Sequence, residues 1–216
     1  MKAEILSRLL RDQQAKTAVA LVTDLQSGAQ TLVYAEEADG PDATSADVLS
    51  AARDAMQDDR SGIREIGGRK LFIEVSNPPL RLLIVGAVHI AQPLSRMASV
   101  AGYDVTVIDP RASFATDERF PGVSLNGEWP DDAMKALDPD RRTAVVTLTH
   151  DPKLDDPGLH VALRSGAFYI GALGSRKTHA GRVERLKEAG YTDAEIARIH
   201  APVGLAIGAV SPAEIA

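Results

Sequence analysis

Three loops, each directly after an apolar run, hold the residue types that bind anionic small molecules. The first is Gly86-Ala87-Val88-His89-Ile90-Ala91, which follows Leu82-Leu83-Ile84-Val85. It fits the dinucleotide pattern G-x-G-x-x-G/A at its first glycine and its last small residue, while Val88 stands at the middle glycine. In that pattern the backbone N–H groups and dipole of a helix N-terminus receive a pyrophosphate, and a valine side chain would obstruct its approach. Asp109 closes the next apolar run at roughly the 20-residue interval of a ribose-binding carboxylate, which suits a ribose hydroxyl better than a 2′-phosphate. The alternative is a structural turn in which Gly86 bends the chain, Val88 packs inward and Asp109 caps a loop against Arg111. His89, inside the turn, is a candidate hydrogen-bond donor to a ligand.

The second loop is Gly171-Ala172-Leu173-Gly174-Ser175-Arg176-Lys177-Thr178-His179. Small residues open a path to its amides, and Ser175 is placed to cap the following helix. From Arg164 to Glu188 six basic residues (Arg164, Arg176, Lys177, Arg182, Arg185, Lys187) face Glu184 and Glu188, a local excess that could draw an anion. Arg182, Arg185 and Lys187 read as the solvated face of a helix whose apolar stripe is Val183, Leu186 and Ala189. Arg176 and Lys177, in the first turn, divide between ligand contact and plain surface, and His179 between ligand contact and packing at the stripe's end. The third loop, Thr149-His150-Asp151-Pro152, puts His150 on the same edge of a parallel sheet, with a local cap by Asp151 as the alternative. His160 lies mid-helix and His200 lacks a partner at metal-ligand spacing, so no metal site is expected.

The elements that must position these loops form two patterns. Up to residue 77, helical spacing of Ile5, Leu6, Leu9 and Leu10 precedes a β-rich run from Thr17 to Leu25, a turn at Ser27-Gly28 and a second strand. A polar loop over Glu36 to Asp42 then leads to a helix capped by Ser45 and carrying Val48, Leu49, Ala52 and Met56, and Gly67-Gly68 links two strands ending near Val75. Residues 1–77 thus predict a small α+β domain. Asn77-Pro78-Pro79 is a boundary, because consecutive prolines interrupt helix and sheet alike. Over residues 80–216, four apolar runs (Leu82 to Val85, Val105 to Ile108, Ala144 to Leu148, Phe168 to Ile170) alternate with helical stretches, the first of them through Leu94, Met97, Ala98 and Ala101 to Gly102. This predicts an α/β, Rossmann-like parallel sheet.

Composition bounds the rest. The chain has 216 residues, a net charge of −6 and no cysteine. No global field attracts nucleic acid or anionic lipid, and any anion site must be local. Without cysteine there is no disulfide, thiolate metal site or sulfur nucleophile, so a partner must supply any sulfur chemistry. The charged start Met1 to Asp12 does not fit a signal peptide, and no window approaches the roughly 20 apolar residues of a membrane span, so a cytoplasmic protein is expected.

With these residues in view, the chain resembles the XdhC/CoxI family of accessory proteins for molybdenum hydroxylases such as xanthine dehydrogenase. The likeness runs through Leu83 to Ala91, Val107-Ile108-Asp109-Pro110-Arg111, Phe114-Ala115, Arg119-Phe120-Pro121, Thr149 to Asp155, Phe168 to Arg176 and His200-Ala201-Pro202-Val203-Gly204-Leu205. It implies a chaperone, a maturation factor in which binding and not turnover is the function, that binds molybdenum cofactor (molybdopterin), protects it while a cysteine desulfurase-type sulfurtransferase acts, and passes it to the apo-hydroxylase; whether the chain is also an enzyme stays open. It also implies a homodimer and a site that includes Gly204. Val88 and Ala206 depart from the Gly and Asp usual in the family, and the N-terminal part lacks the glycine- and cysteine-bearing segment of longer members. Two other readings stand beside the chaperone: an oxidoreductase using NAD(P) or another nucleotide at Gly86, and a regulatory partner of a hydroxylase that has lost ligand binding.

Overall fold

A computed structural model describes residues 3–216, which divide into two compact units with the boundary between Pro78 and Pro79. The first holds α1 (Ala3–Gln14), β1 (Val19–Asp24), β2 (Gln30–Val33), β3 (Ala38–Asp39), α2 (Ala46–Gln57), β4 (Gly62–Ile66) and β5 (Arg69–Ser76), with an antiparallel sheet in the order β3-β2-β1-β5-β4. Strand β1 alternates between two cores. Val19 and Leu21 pack with Leu9 of α1, while Ala20 and Val22 pack with Val48, Ala52 and Met56 of α2. Helices on both faces explain why this strand reads as a continuous apolar run. Three local expectations are corrected here. Leu6 and Leu10 are about half exposed, and only Ile5 and Leu9 of their group reach the core. The polar loop after Glu36 contains the edge strand β3. Ser45 occupies the N-cap position of α2, but its side chain makes no capping hydrogen bond.

The second unit runs β6 (Arg81–Val85), α3 (Ala91–Val100), β7 (Asp104–Ile108), β8 (Ser124–Asn126), α4 (Pro130–Leu137), β9 (Thr143–Thr147), α5 (Pro152–Arg164), β10 (Tyr169–Ala172), α6 (Arg176–Glu188), α7 (Asp193–Ile196), β11 (Ile199–His200) and α8 (Pro212–Ile215). Its six strands are all parallel, in the order β11-β10-β9-β6-β7-β8. The chain walks outward from β6 to β8, then crosses back to β9 and walks the other way, the doubly wound Rossmann order. The four apolar runs form β6, β7, β9 and β10; β8 and β11 are two more strands, too short to show a run of their own. No helix joins β7 to β8, where a loop folds Phe120 into the core instead.

Side chains of β6 alternate between the two faces. Leu83 and Val85 pack with α4, α5 and α6, while Leu82 and Ile84 join Ala91, Leu94 and Ala98 of the α3 region. Because every strand is parallel, the loops after β6, β9, β10 and β11 all emerge at one edge. The switch between the two halves falls between β6 and β9, where open α/β sheets bind their ligands. Among the described residues no helix is long and apolar enough to cross a membrane.

Candidate functional site

The turn after β6 is shaped by close approach. Gly86 has φ +108°, and a Cβ there would collide with the Thr149 methyl from the loop after β9. The Gly86 N–H donates to Ile108 O at 2.8 Å, continuing the β6–β7 ladder. The next amide, Ala87 N–H, donates to Asp109 Oδ2 at 2.8 Å. Asp109 is fully buried, and Arg111 closes over it with Nε to Oδ1 at 2.8 Å, Nη2 to Oδ2 at 2.7 Å and its own N–H to Oδ1 at 3.0 Å. Burial alone would push this carboxyl up, but the hydrogen bonds from Arg111 and Ala87 outweigh it and hold it below the ordinary aspartate value. A ribose contact would require Arg111 to swing away. The first amide that a phosphate at this turn would use is already given to an internal carboxylate. Val88 is half-buried against the α3-side core, and His89 is exposed beside Gln92, Arg96 and Ser211.

One strand further along, the loops after β9 and β10 are joined by a second buried carboxylate. Asp155, in the first turn of α5 and 1% exposed, accepts from Thr149 Oγ1 at 2.7 Å, Thr149 N–H at 3.2 Å and His150 N–H at 3.1 Å. This clamp holds His150 at φ +62°, a conformation rare outside glycine. Asp151 caps α5 by accepting from Lys153 N–H. Burial pushes the Asp155 carboxyl up, against the opposing pull of Thr149 and of the guanidinium of Arg182.

Arg182 is the correction that matters most. The sequence places it on a solvated helix face, yet it is 2% exposed and the largest fully buried side chain among the described residues. Its Nη2 donates to Leu173 O at 3.0 Å and lies 3.7 Å from Asp155 Oδ2, so one side chain ties the β9 loop to the β10 loop. Its Nε and Nη1 are buried without a hydrogen-bond partner, as is His179 Nδ1. Burial lowers the pKa of this guanidinium. The buried face of α6 is therefore Arg182 and Leu186, with Val183 half-buried beside them, and Ala189 is exposed. Arg185 is half-exposed and paired bidentately with Asp156, and Lys187 pairs with Asp193.

Ser175 caps α6 by accepting from Thr178 N–H at 3.1 Å. Lys177 is exposed and lines a polar cavity with His150, Asp155, Arg182 and Arg185; Arg176 is exposed outside it. Gly174, at φ +146°, lets the chain turn tightly over Thr178. Gly171 and Gly204 lie elsewhere. Gly171 is buried inside β10, where its missing Cβ leaves room for Val203 and Val146. Gly204 lines an apolar groove of about 840 Å³ on the α3 side of the sheet, with Leu94, Leu148, Tyr169 and Leu205. Most of the expected site residues thus fall into three groups, the Gly86 turn latched by Asp109 and Arg111, the polar cavity between α5 and α6 with the α6 cap beside it, and the α3-side groove, while Gly171 is a strand residue and Arg176 lies outside the cavity. Sequence reasoning misses Arg182 and Asp155 because a charged residue gives no sequence sign of burial; the four-residue spacing of Arg182 and Leu186 is the available hint.

The family described as the XdhC Rossmann domain matches residues 82–216. Among relatives, the molybdenum cofactor insertion chaperone PaoD of Escherichia coli K12 is 34% identical over 59% of the chain, and a Bacillus subtilis 168 protein named as a probable component of xanthine dehydrogenase is 31% identical over 68%. The chain spans 34% and 42% of those two proteins' lengths. A crystal structure titled as a xanthine dehydrogenase from Bacillus halodurans superposes with a TM-score of 0.74 at 25% identity, covering 98% of this chain and 62% of that one.

Two measurements probe the latch at the Gly86 turn. Asp109 is held below its ordinary value, so its contribution to stability is present above the unfolded aspartate pKa of about 3.9 and is lost as pH falls through the folded value. Asp109→Asn should therefore cost about 1.5–3 kcal/mol at pH 7, with the gap to wild type narrowing below about pH 4 in urea unfolding; a gap unchanged from pH 7 to pH 3 would refute the assignment. Gly86→Ala should cost about 1–3 kcal/mol, and Thr149→Ser, which deletes the colliding methyl, should recover part of that loss in a double-mutant cycle.

Proposed function

The chain belongs to the XdhC family, and from that premise we propose that it is an accessory chaperone that binds molybdenum cofactor and delivers it to an apo-hydroxylase of the xanthine dehydrogenase type. The observation that carries the reading is the buried guanidinium of Arg182, left short of acceptors beneath Lys177 at the ligand edge of the sheet. A phosphorylated cofactor brings what such a group lacks, a dianion with several acceptor oxygens.

The cofactor itself supplies the molybdenum and dithiolene chemistry; this chain's residues bind, orient and shield. His150, Lys177, Arg182 and the first turn of α6 would meet the ligand, while Asp155 holds the β9 loop in place. With no cysteine in the chain, sulfur for the cofactor would come from a separate sulfurtransferase. An NAD(P)-dependent reaction gains no support at the Gly86 turn, because Asp109 is enclosed by Arg111 and Ala87 N–H is already engaged.

The test presents the purified chain with molybdenum cofactor, NAD and NADP in parallel and measures retention. The cofactor should be retained and the nucleotides should not. Arg176→Ala combined with Lys177→Ala should weaken retention by about 10- to 100-fold while leaving the unfolding transition in place, since Lys177 alone of the pair lines the cavity and one charge-assisted contact contributes about 1.5–3 kcal/mol. Nucleotide binding with hydride transfer, or retention indifferent to the double substitution, would overturn the proposal.

A further inference from the structure

We infer that the cavity between the first turns of α5 and α6 is an oxyanion seat for a tetrahedral phosphate, and that it replaces the Gly86 turn as the anion site of this Rossmann domain. The inference rests on the cofactor reading only for which phosphate is delivered; the seat itself stands on local geometry.

The cavity has a volume of about 260 Å³, room for a phosphate and a few waters, and is lined by His150, Pro152, Asp155, Lys177, Arg182 and Arg185 among others. Among its lining is a cation that the fold itself does not fully satisfy: Arg182, 2% exposed, uses Nη2 on Leu173 O, with Asp155 Oδ2 3.7 Å away, and leaves Nε and Nη1 without a hydrogen-bond partner. Buried polar groups are normally paired, so two orphaned nitrogens on one buried guanidinium mark a place where an added acceptor would be stabilised. The charges facing the cavity are Lys177, Arg182 and Arg185 against Asp155, with Arg185 bound to Asp156. Asp155 directs its oxygens to Thr149 and the His150 amide, so its charge is spread over the β9 loop.

The first turn of α6 points the same way. A helix N-terminus favours acids and disfavours cations. Here the first turn holds Arg176 and Lys177 and no acid. Cations gathered at a positive helix end repel the dipole unless an anion lies between them, and a phosphate seated at that end would reverse the sign of the interaction. At the Gly86 turn the opposite holds, because Ala87 N–H is bound to Asp109 and the Thr149 methyl fills the space beside Gly86.

The full chain is titrated with inorganic phosphate at constant ionic strength, with chloride as the control, while its melting temperature and the ³¹P line width are followed. A saturable rise in melting temperature and phosphate line broadening are expected. Lys177→Glu, an exposed change that leaves the fold intact, should weaken the apparent affinity by tenfold or more, and Arg182→Met should abolish the response in whatever fraction folds. Tighter binding of glycerol phosphate than of inorganic phosphate identifies a monoester as the preferred source, and the reverse order identifies the free ion. No phosphate-specific response in the wild type, or an unchanged response in Lys177→Glu, overturns the seat. Cofactor retained without any phosphate response defeats the seat alone, whereas phosphate bound without cofactor retention defeats the chaperone reading alone.

Discussion

Two buried carboxylates, Asp109 just after β7 and Asp155 in the first turn of α5, set the terms for the rest of the C-terminal unit. Moving a charge out of water costs several kcal/mol unless partners replace the lost hydration. Asp109 meets that demand with Ala87 N–H and a closed fork from Arg111. Asp155 meets it with two amides, a hydroxyl and a distant guanidinium. The two solutions differ in kind. The first is complete within the chain and serves as a latch, fixing the turn after β6 to the end of β7. The second transfers the burden to Arg182, which then has more donors than the fold has acceptors.

That difference separates framework from ligand edge. On the β6–β7 side, the backbone ladder continues into the loop and the side chains are saturated, leaving little for a ligand to bind. On the β9–β10 side, His150 sits in a left-handed conformation enforced by Asp155, and Arg182 joins two loops that share no backbone ladder beyond Leu173 N–H to Thr147 O. The incomplete charge network lies on the same edge of the sheet, one strand along from the point between β6 and β9 where the winding reverses. The opposite face has a different character. With no helix between β7 and β8, α3 is the one long helix on it, beside the loop that carries Phe120, and an 840 Å³ groove lies against Leu94, Tyr169 and Leu205.

Much of the framework is legible in the sequence. Leu82 to Val85 and Ala144 to Leu148 are strands buried on both faces, and such strands announce themselves as unbroken apolar runs. Ser175 reads as a cap because its position before a helix and its hydroxyl suffice for the bond it makes. What is not legible depends on partners distant in sequence. Ser124 to Asn126 and Ile199-His200 become strands only because β7 and β10 offer open edges. Arg182 lies among Arg176, Lys177, Arg185 and Lys187, and nothing local distinguishes the one that is buried. Asp109 suits a ribose and Arg111 equally well in sequence, and only the folded position of Arg111 decides between them.

The burial of Arg182 has an energetic corollary for ligand binding. A surface arginine must shed its hydration and freeze several rotatable bonds before it can hold an anion, and both costs count against affinity. Arg182 has already done both, because folding buries it on the inner face of α6 with its Nη2 fixed to Leu173 O. An arriving oxyanion would meet a donor that has lost its water and is held in position, while exposed Lys177 supplies the flexible charge that covers the entrance. On the proposed reading, an acceptor that reached the two unpaired guanidinium nitrogens would also stabilise the fold, so ligand affinity and fold stability would be coupled through a single side chain.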